Sequence, residues 1–176
     1  MMDDLRYPIG KYTPPREISM SQVQGWIDEI AALPQNLRAL VSPFNAQQLD
    51  TPYRPDGWTV RQVVHHLCDS HLNSLVRFKL ALTEDAPTVK PYDEARWALT
   101  AEYQLLPVES SLDFLDKLHE RWVVLLRSLS ESEMQKKYRH PEIGDISLAW
   151  TVGLYAWHCR HHFAHIQQLA AREGWE

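Results

Sequence analysis

The chain has few cysteines, no long apolar run and no excess of positive charge, and each scarcity narrows what it can be. It has two cysteines, and its first twelve residues lack the basic-then-apolar pattern of a secretory signal, which favours a reducing cytoplasm over a structural disulfide. No stretch approaches the ~20 consecutive apolar residues of a membrane-spanning helix. The net charge of -5, without any basic run, excludes nucleic acid as a partner. We therefore predict a cytoplasmic protein with no membrane partner.

The 11 prolines and 6 glycines fall largely between strongly periodic segments, which indicates helices joined by loops. We predict one domain over residues 1–176, an all-α four-helix bundle with an extended arm over residues 1–18 and long inter-helix loops. Residues 43–57 and 131–146 are the longest predicted loops, and the second has room for a small hairpin. Residues 92–99 are predicted to form a short helix. The four long helices are predicted from Ser19 or Ser21 to about residue 41 with a kink or interruption at Pro34, from Thr59 to about Thr83, from about Glu109 to Ser130, and from about Ser147 to Glu173.

Two of the predicted helix ends have specific signals. Thr59 and Gln62 fit a capping box, in which the first residue accepts from the backbone of the fourth and the fourth returns the bond. Gly174 is a natural residue for the left-handed turn that ends a helix. These signals predict the start of the second long helix and the end of the last one.

Seven of the nine histidines lie in two short blocks, residues 65–71 and residues 158–165. His158 and His162 stand four residues apart, a spacing that stacks two side chains on one face of a helix. That face is otherwise apolar, with His165 one turn further on, so it should point into the bundle. Imidazoles buried there require hydrogen bonds or a metal ion, and the stacked pair favours the metal. His161 and His165 form a second pair with the same spacing, which ranks second because His161 lies nearer the edge of the face.

The first block leaves its candidate ligand undecided. His71 lies in the middle of the apolar stripe of the second long helix, whereas His66 belongs to a polar strip that could equally line a substrate cleft. Helical periodicity does not choose between them. Cys68 and Cys159 lie inside the two blocks, and small buried apolar residues are the favoured interpretation of both, ahead of metal ligation.

Long motifs in both blocks resemble a known family. The run Gly57–His71, followed by the pattern of Trp157, His158, His161, His162, His165 and Ile166, is similar to the DinB/YfiT-like superfamily and to its YfiT-type metal-dependent hydrolases. The segments Tyr7–Gly10, Leu49–Arg54 and Gly174–Trp175 extend the similarity over nearly the whole chain. The resemblance implies a four-helix bundle that forms a homodimer and holds one divalent ion per chain.

Carried over by motif, the resemblance implies the ligands His66, His158 and His162. It leaves His65, His71, His161 and His165 as supporting or structural groups. Three neutral histidines with open coordination positions are typical of a catalytic site, with Zn²⁺ as the default ion and Ni²⁺ as an alternative.

The implied reaction is hydrolysis of a small-molecule substrate by an activated water molecule. Asp69, one turn beyond His66, could accept a proton from that water or orient a ligand, and a solvated carboxylate is an equal interpretation. Related family members resemble thiol S-transferases of the bacillithiol type, which could use the same three ligands. A metal-binding scaffold without turnover is the third possibility. Tyr53, Arg54 and Asp56 precede the metal helix and are candidates for the cleft rim, although a structural role is favoured.

Overall fold

The computed structural model describes residues 5–175; Met1–Asp4, where the predicted arm begins, and Glu176 lie outside the described residues. The four long helices are α1 (Met20–Val41), α3 (Val60–Thr83), α6 (Val108–Ser128) and α8 (Leu148–Glu173). Shorter elements connect them: α2 (Ala46–Leu49), α4 (Glu94–Trp97), α5 (Glu102–Leu105), α7 (Glu131–Met134), and the strands β1 (Lys137–His140) and β2 (Gly144–Ser147). The predicted four-helix bundle is confirmed.

Polar caps explain where the long helices begin and end. Ser19 caps α1 and Thr59 caps α3, each in a capping box with the glutamine three residues later. Ser147 caps α8 by accepting from the backbone of Trp150. Gly174 ends α8 in the left-handed conformation with φ 66°, which a residue without a Cβ adopts at no steric cost. The predicted boundaries therefore hold to within about two residues.

The long helices alternate around the bundle. Both α1 and α3 pack against α6 and α8, so α1 and α3 occupy opposite corners. Trp122 of α6 is fully buried in the core, with its ring edge-on to Phe78 of α3 and Tyr155 of α8. The histidine-bearing helices α3 and α8 are therefore direct neighbours, and the two blocks can meet.

Helix α1 continues through Pro34, so of the two predicted alternatives, a kink or an interruption, the interruption is wrong. Proline lacks the N–H that would donate to the carbonyl four residues earlier, which here belongs to Ile30. That carbonyl accepts from Nδ1 of His119 instead, at 2.8 Å. The side chain from α6 thus replaces the hydrogen bond that the proline removes.

A small antiparallel hairpin lies between α7 and α8, where the sequence predicted a loop with room for one. Tyr138 pairs with Ile146, and His140 pairs with Gly144. The phenol of Tyr138 is buried and lies 3.1 Å from the hydroxyl of Thr151 on α8. This contact ties the hairpin to the bundle.

The described part of the arm packs against the domain, as predicted, and its contacts are with α8. The indole of Trp157 donates to the carbonyl of Gly10 at 3.2 Å, and the phenol of Tyr12 donates to that of Trp150 at 3.3 Å. No helix among residues 5–175 is both long and apolar enough to cross a membrane.

Gly153→Ala is expected to destabilise the protein, because a Cβ there would lie 2.6 Å from the phenol oxygen of Tyr12 and 2.9 Å from the ring of Trp26. Both rings must shift, at a cost of about 1–3 kcal/mol. Gly25→Ala is the matched control, since a Cβ at that helical position meets nothing within 4 Å. It should stabilise the protein by up to about 1 kcal/mol. Urea unfolding of the two variants checks this, and equal changes would contradict the close approach of arm, α1 and α8.

Candidate metal centre

Three histidines from two helices lie together on the wall of a cavity. His66 comes from α3, while His158 and His162 lie one turn apart on α8. Nε2 of His66 lies 3.3 Å from Nε2 of His158. The ring centroids of His158 and His162 are 4.4 Å apart, and those of His66 and His162 are 4.8 Å apart. One nitrogen from each ring lies within 4.8 Å of the other two.

Burial keeps these imidazoles neutral. It lowers the pKa of His66 to about 3. The pKa values of His158 and His162 are also well below the ordinary value, first because of burial and then because neighbouring imidazoles disfavour a charge. A neutral ring offers the unprotonated nitrogen that a metal ion requires. All three rings are therefore in the form suited to coordination.

The donor set fits a divalent ion of borderline softness such as Zn²⁺ or Ni²⁺. Two nitrogens bound at ~2.1 Å in tetrahedral geometry lie about 3.4 Å apart. The separation of 3.3 Å between Nε2 of His66 and Nε2 of His158 matches this spacing. The remaining Nδ1 atoms of His66 and His162 are buried without a hydrogen-bond partner. The spacing of the Nε2 atoms and the neutral form of the rings are therefore both compatible with such an ion.

A second group, His161, His162 and His165, also brings its nitrogens within 4.8 Å. It shares His162 with the first group. Because a neutral imidazole has one unprotonated nitrogen, His162 can bind only one ion, so the two groups cannot each hold an ion at the same time. His165 stacks on Tyr53 at 3.9 Å and donates from Nε2 to a backbone carbonyl of the arm. His161 stacks on Trp157 at 4.4 Å. The contacts of His165 therefore link α8 to the arm and to the loop before α3, and both His161 and His165 also line the cavity beside the first group.

The cavity beside the three histidines has a volume of about 620 Å³. The loop residues Tyr53, Arg54 and Asp56 line it, as does Trp58, whose ring centroid lies 4.6 Å from that of His66. These three loop residues therefore do line the cavity, the interpretation that the sequence ranked below a structural role. The charged side chains on the wall balance: Arg6, Arg54, Arg77, Asp56, Glu94 and Glu142.

Comparison with known proteins decides the family. The profile of the DinB superfamily matches residues 29–166, most of the chain. The chain belongs to the DinB superfamily. A Bacillus cereus (strain B4264) protein named "Putative metal-dependent hydrolase" is 54% identical over 99% of this chain and 100% of its own length. A protein of the same name from Bacillus thuringiensis subsp. konkukian (strain 97-27) is 53% identical over the same shares.

Solved structures agree with this DinB assignment. YfiT from Bacillus subtilis, described as "a probable metal-dependent hydrolase with an unusual four-helix bundle topology", superposes with a TM-score of 0.95 at 46% identity, over 98% of this chain and 99% of that one. TT2238, a four-helix bundle protein, superposes with a TM-score of 0.58 at 18% identity, over 83% of this chain and 98% of its own. The second likeness supports the fold alone.

In this DinB protein the predicted catalytic candidate Asp69 contacts Tyr103 and not the three histidines. Its carboxylate accepts a hydrogen bond of 2.6 Å from the phenol of Tyr103. Burial raises the pKa of Asp69, and that hydrogen bond opposes the rise. Its neighbour Ser70 lines the cavity, but Asp69 is not among the lining residues. The structure therefore does not bring Asp69 to the three histidines.

The two cysteines of the DinB chain are free and buried, in keeping with the favoured interpretation. Sγ of Cys68 donates to the carbonyl of Ser111 at 3.0 Å, and the hydroxyl of the same serine lies 2.6 Å from Nδ1 of His65. Burial raises the pKa of Cys68 to about 12 and also raises that of Cys159. Both side chains are therefore thiols near neutral pH, a form that is a poor nucleophile and a poor metal ligand.

The structure adds one histidine that sequence reasoning missed. His119 lies in the apolar stripe of α6, four residues after Leu115 and three before Trp122, and is buried. Its Nε2 lies 2.7 Å from Nδ1 of His71, and Nε2 of His71 lies 3.2 Å from Nδ1 of His158. An imidazole in an otherwise apolar stripe was the available signal. It was overlooked because His119 stands alone in the sequence.

Proposed function

We propose that this protein is a metal-dependent hydrolase of small molecules in which His66, His158 and His162 hold one divalent ion per chain. Zn²⁺ is the default ion, and Ni²⁺ is the alternative. The observation that carries the proposal is the convergence of three buried, neutral imidazoles on the wall of a cavity of about 620 Å³. The names of the relatives and of YfiT support the same reaction class.

The chain supplies three ligands from one side, so the cavity side is left for water and substrate. When bound, a divalent ion at such a site lowers the pKa of a water molecule and polarises a substrate oxygen. Tyr92 also lines the cavity, and burial raises its pKa, so its phenol keeps the proton near neutral pH. We assign this phenol the role of a hydrogen-bond donor to a substrate oxygen.

The balanced charges of the wall favour a small polar substrate without a large net charge, such as an ester or an amide. The chain's own cysteines do not serve as nucleophiles, because both thiols are buried and protonated. A thiol-transfer reaction would therefore need a thiol supplied from solution. This requirement separates the hydrolase from the S-transferase.

We expect the purified protein to hold one metal ion per chain and to cleave members of an ester and amide panel without any thiol. Elemental analysis and turnover assays check this, with a chelated sample and a Zn²⁺-restored sample as controls. Turnover should disappear on chelation and return with the ion. Consumption of a small thiol with an epoxide or alkyl halide, without hydrolysis, would favour the S-transferase. Absence of both activities in metal-loaded protein would favour the scaffold.

The homodimer also remains a prediction from family resemblance. Light scattering of the purified protein tests it directly, since a dimer doubles the mass of 20.5 kDa per chain.

A further inference from the structure

A line of hydrogen bonds crosses the core and touches all four long helices. It begins at the carbonyl of Ile30 in α1, which Pro34 leaves without its helical donor. His119 of α6 contacts this carbonyl through Nδ1 at 2.8 Å. The line then continues to His71 of α3 and ends at His158 of α8. It therefore joins the proline in α1 to a proposed metal ligand in α8 by way of α6 and α3.

The carbonyl sets the direction of every bond in this line. A carbonyl only accepts, so Nδ1 of His119 carries the proton and its Nε2 is an acceptor. Nδ1 of His71 must then donate to that Nε2, over 2.7 Å. Nε2 of His71 becomes an acceptor in turn, and Nδ1 of His158 donates to it over 3.2 Å. His158 is left with an unprotonated Nε2, the atom that faces His66 at 3.3 Å.

We propose that His71 and His119 are positioning residues that hold His158 in the Nδ1–H tautomer and so present its Nε2 to the metal ion. We call the line of hydrogen bonds from the Ile30 carbonyl through His119 and His71 to His158 the relay. This role of the relay depends on the proposed function, because it requires that His158 binds a metal ion. Hydrogen bonds of this kind, made by the ring nitrogen that faces away from the ion, fix ligand orientation and raise ligand basicity.

The other two proposed ligands lack such support within the described residues. Nδ1 of His66 and Nδ1 of His162 are both buried without a hydrogen-bond partner. His71, by contrast, is completely buried, with its ring edge-on to those of Trp122 and Tyr155. The rigid core thus orients one of the three ligands in advance. His158 is therefore oriented before an ion binds, whereas His66 and His162 are not held by such hydrogen bonds.

The relay predicts the tautomers of the metal-free protein. Long-range ¹H–¹⁵N correlation spectra of the labelled apoprotein should show the proton on Nδ1 in His119, His71 and His158. His66 should carry its proton on Nε2, because Nε2 of His158 is then its acceptor. A proton on Nε2 of His158 or of His71 would overturn the proposal. This measurement needs neither a variant nor a metal ion.

Variants test whether the relay acts on the metal. His71→Phe keeps a buried ring but removes both nitrogens, and we expect metal affinity to fall about 10–100-fold. His119→Phe should also weaken metal binding, because His71 is then free to move its proton to Nε2. This effect would act through two hydrogen bonds, from His119 to His71 and from His71 to His158. His119→Gln retains an acceptor for His71 and should recover much of the affinity. His65→Phe is the matched control, since His65 is a buried histidine of α3 that bonds to Ser111.

The outcomes separate the relay from the metal site. Circular dichroism should first show that His71→Phe and His119→Phe are folded. If both variants then bind the ion as tightly as the wild-type protein does, the relay is wrong and the metal site stands. If wild-type protein binds no ion at His66, His158 and His162, the proposed function fails. The tautomers of the apoprotein still decide the relay in that case. A weaker His65→Phe variant would also count against the relay, because loss of any buried histidine would then suffice.

Discussion

Replacing His158 or His162 with alanine is expected to abolish stoichiometric metal binding and all metal-dependent turnover. Each variant removes one of three ligands that share a single ion. Loss of a supporting group typically weakens metal binding 10–100-fold, so loss of a direct ligand should exceed about 100-fold. His66→Ala should have the same effect, because its Nε2 lies 3.3 Å from that of His158. Competition with a chromophoric chelator measures the affinity, and elemental analysis measures the occupancy.

His161→Ala is the matched control for these variants. His161 lies on the same helix, next to His162, and belongs to the alternative group of three histidines. Its ring is stacked on Trp157, and we expect the variant to keep the ion. An ion retained in the double variant His66→Ala, His162→Ala would refute the ligand assignment. An ion lost from His161→Ala but kept by His158→Ala would move the site to the second group.

Lowering the pH from 7.5 to 5 is expected to destabilise the metal-free protein by several kcal/mol. The folded-state pKa is about 3 for His66 and about 4 for His119, both depressed mainly by burial. In the unfolded chain these histidines titrate near 6.5. Below pH 6.5 the unfolded state therefore binds more protons than the folded state. The free energy of unfolding decreases as the pH is lowered, and the decrease stops only at about pH 4 to 3. Each group costs roughly 2 kcal/mol at pH 5.

Those two histidines alone remove about 4 kcal/mol at pH 5, a large part of a typical stability of 5–15 kcal/mol. Burial lowers the pKa of His71, His158 and His162 as well, so the observed loss should be larger. Urea unfolding of apoprotein at pH 7.5, 6.5, 5.5 and 5 measures the slope. His119→Gln removes one titrating group and should reduce the slope by up to about 1.4 kcal/mol per pH unit. A stability that stays constant down to pH 5 would contradict neutral burial of the histidines.

Several elements could be predicted because their causes are local. Thr59 with Gln62 and Gly174 mark helix ends through bonds and backbone conformations within a few residues. The spacing of His158 and His162 places them on one face of any helix that contains them. The hairpin of β1 and β2 was less evident, because its two strands are four residues each and one side chain, Tyr138, anchors it to α8.

Helical phase left His66 and His71 as alternatives, and both turn out to matter in different ways. Both are buried on α3, and both contact His158, one at Nε2 and the other at Nδ1. Periodicity identified His71 as the core residue, which agrees with its complete burial. Which atom of His158 each one meets depends on how α3 is rotated against α8. That rotation follows from packing across the whole interface.

By itself, then, the sequence determined the four helices, their caps and the stacked pair His158 and His162, because each depends on residues that are near neighbours in the chain. Its resemblance to the DinB/YfiT-like superfamily selected His66. Only the tertiary structure decided that Asp69 turns to Tyr103 and that the carbonyl freed by Pro34 is met by His119. These are contacts between different helices, and their geometry depends on the depth and rotation at which the helices pack. The two histidine blocks meet in space for the same reason.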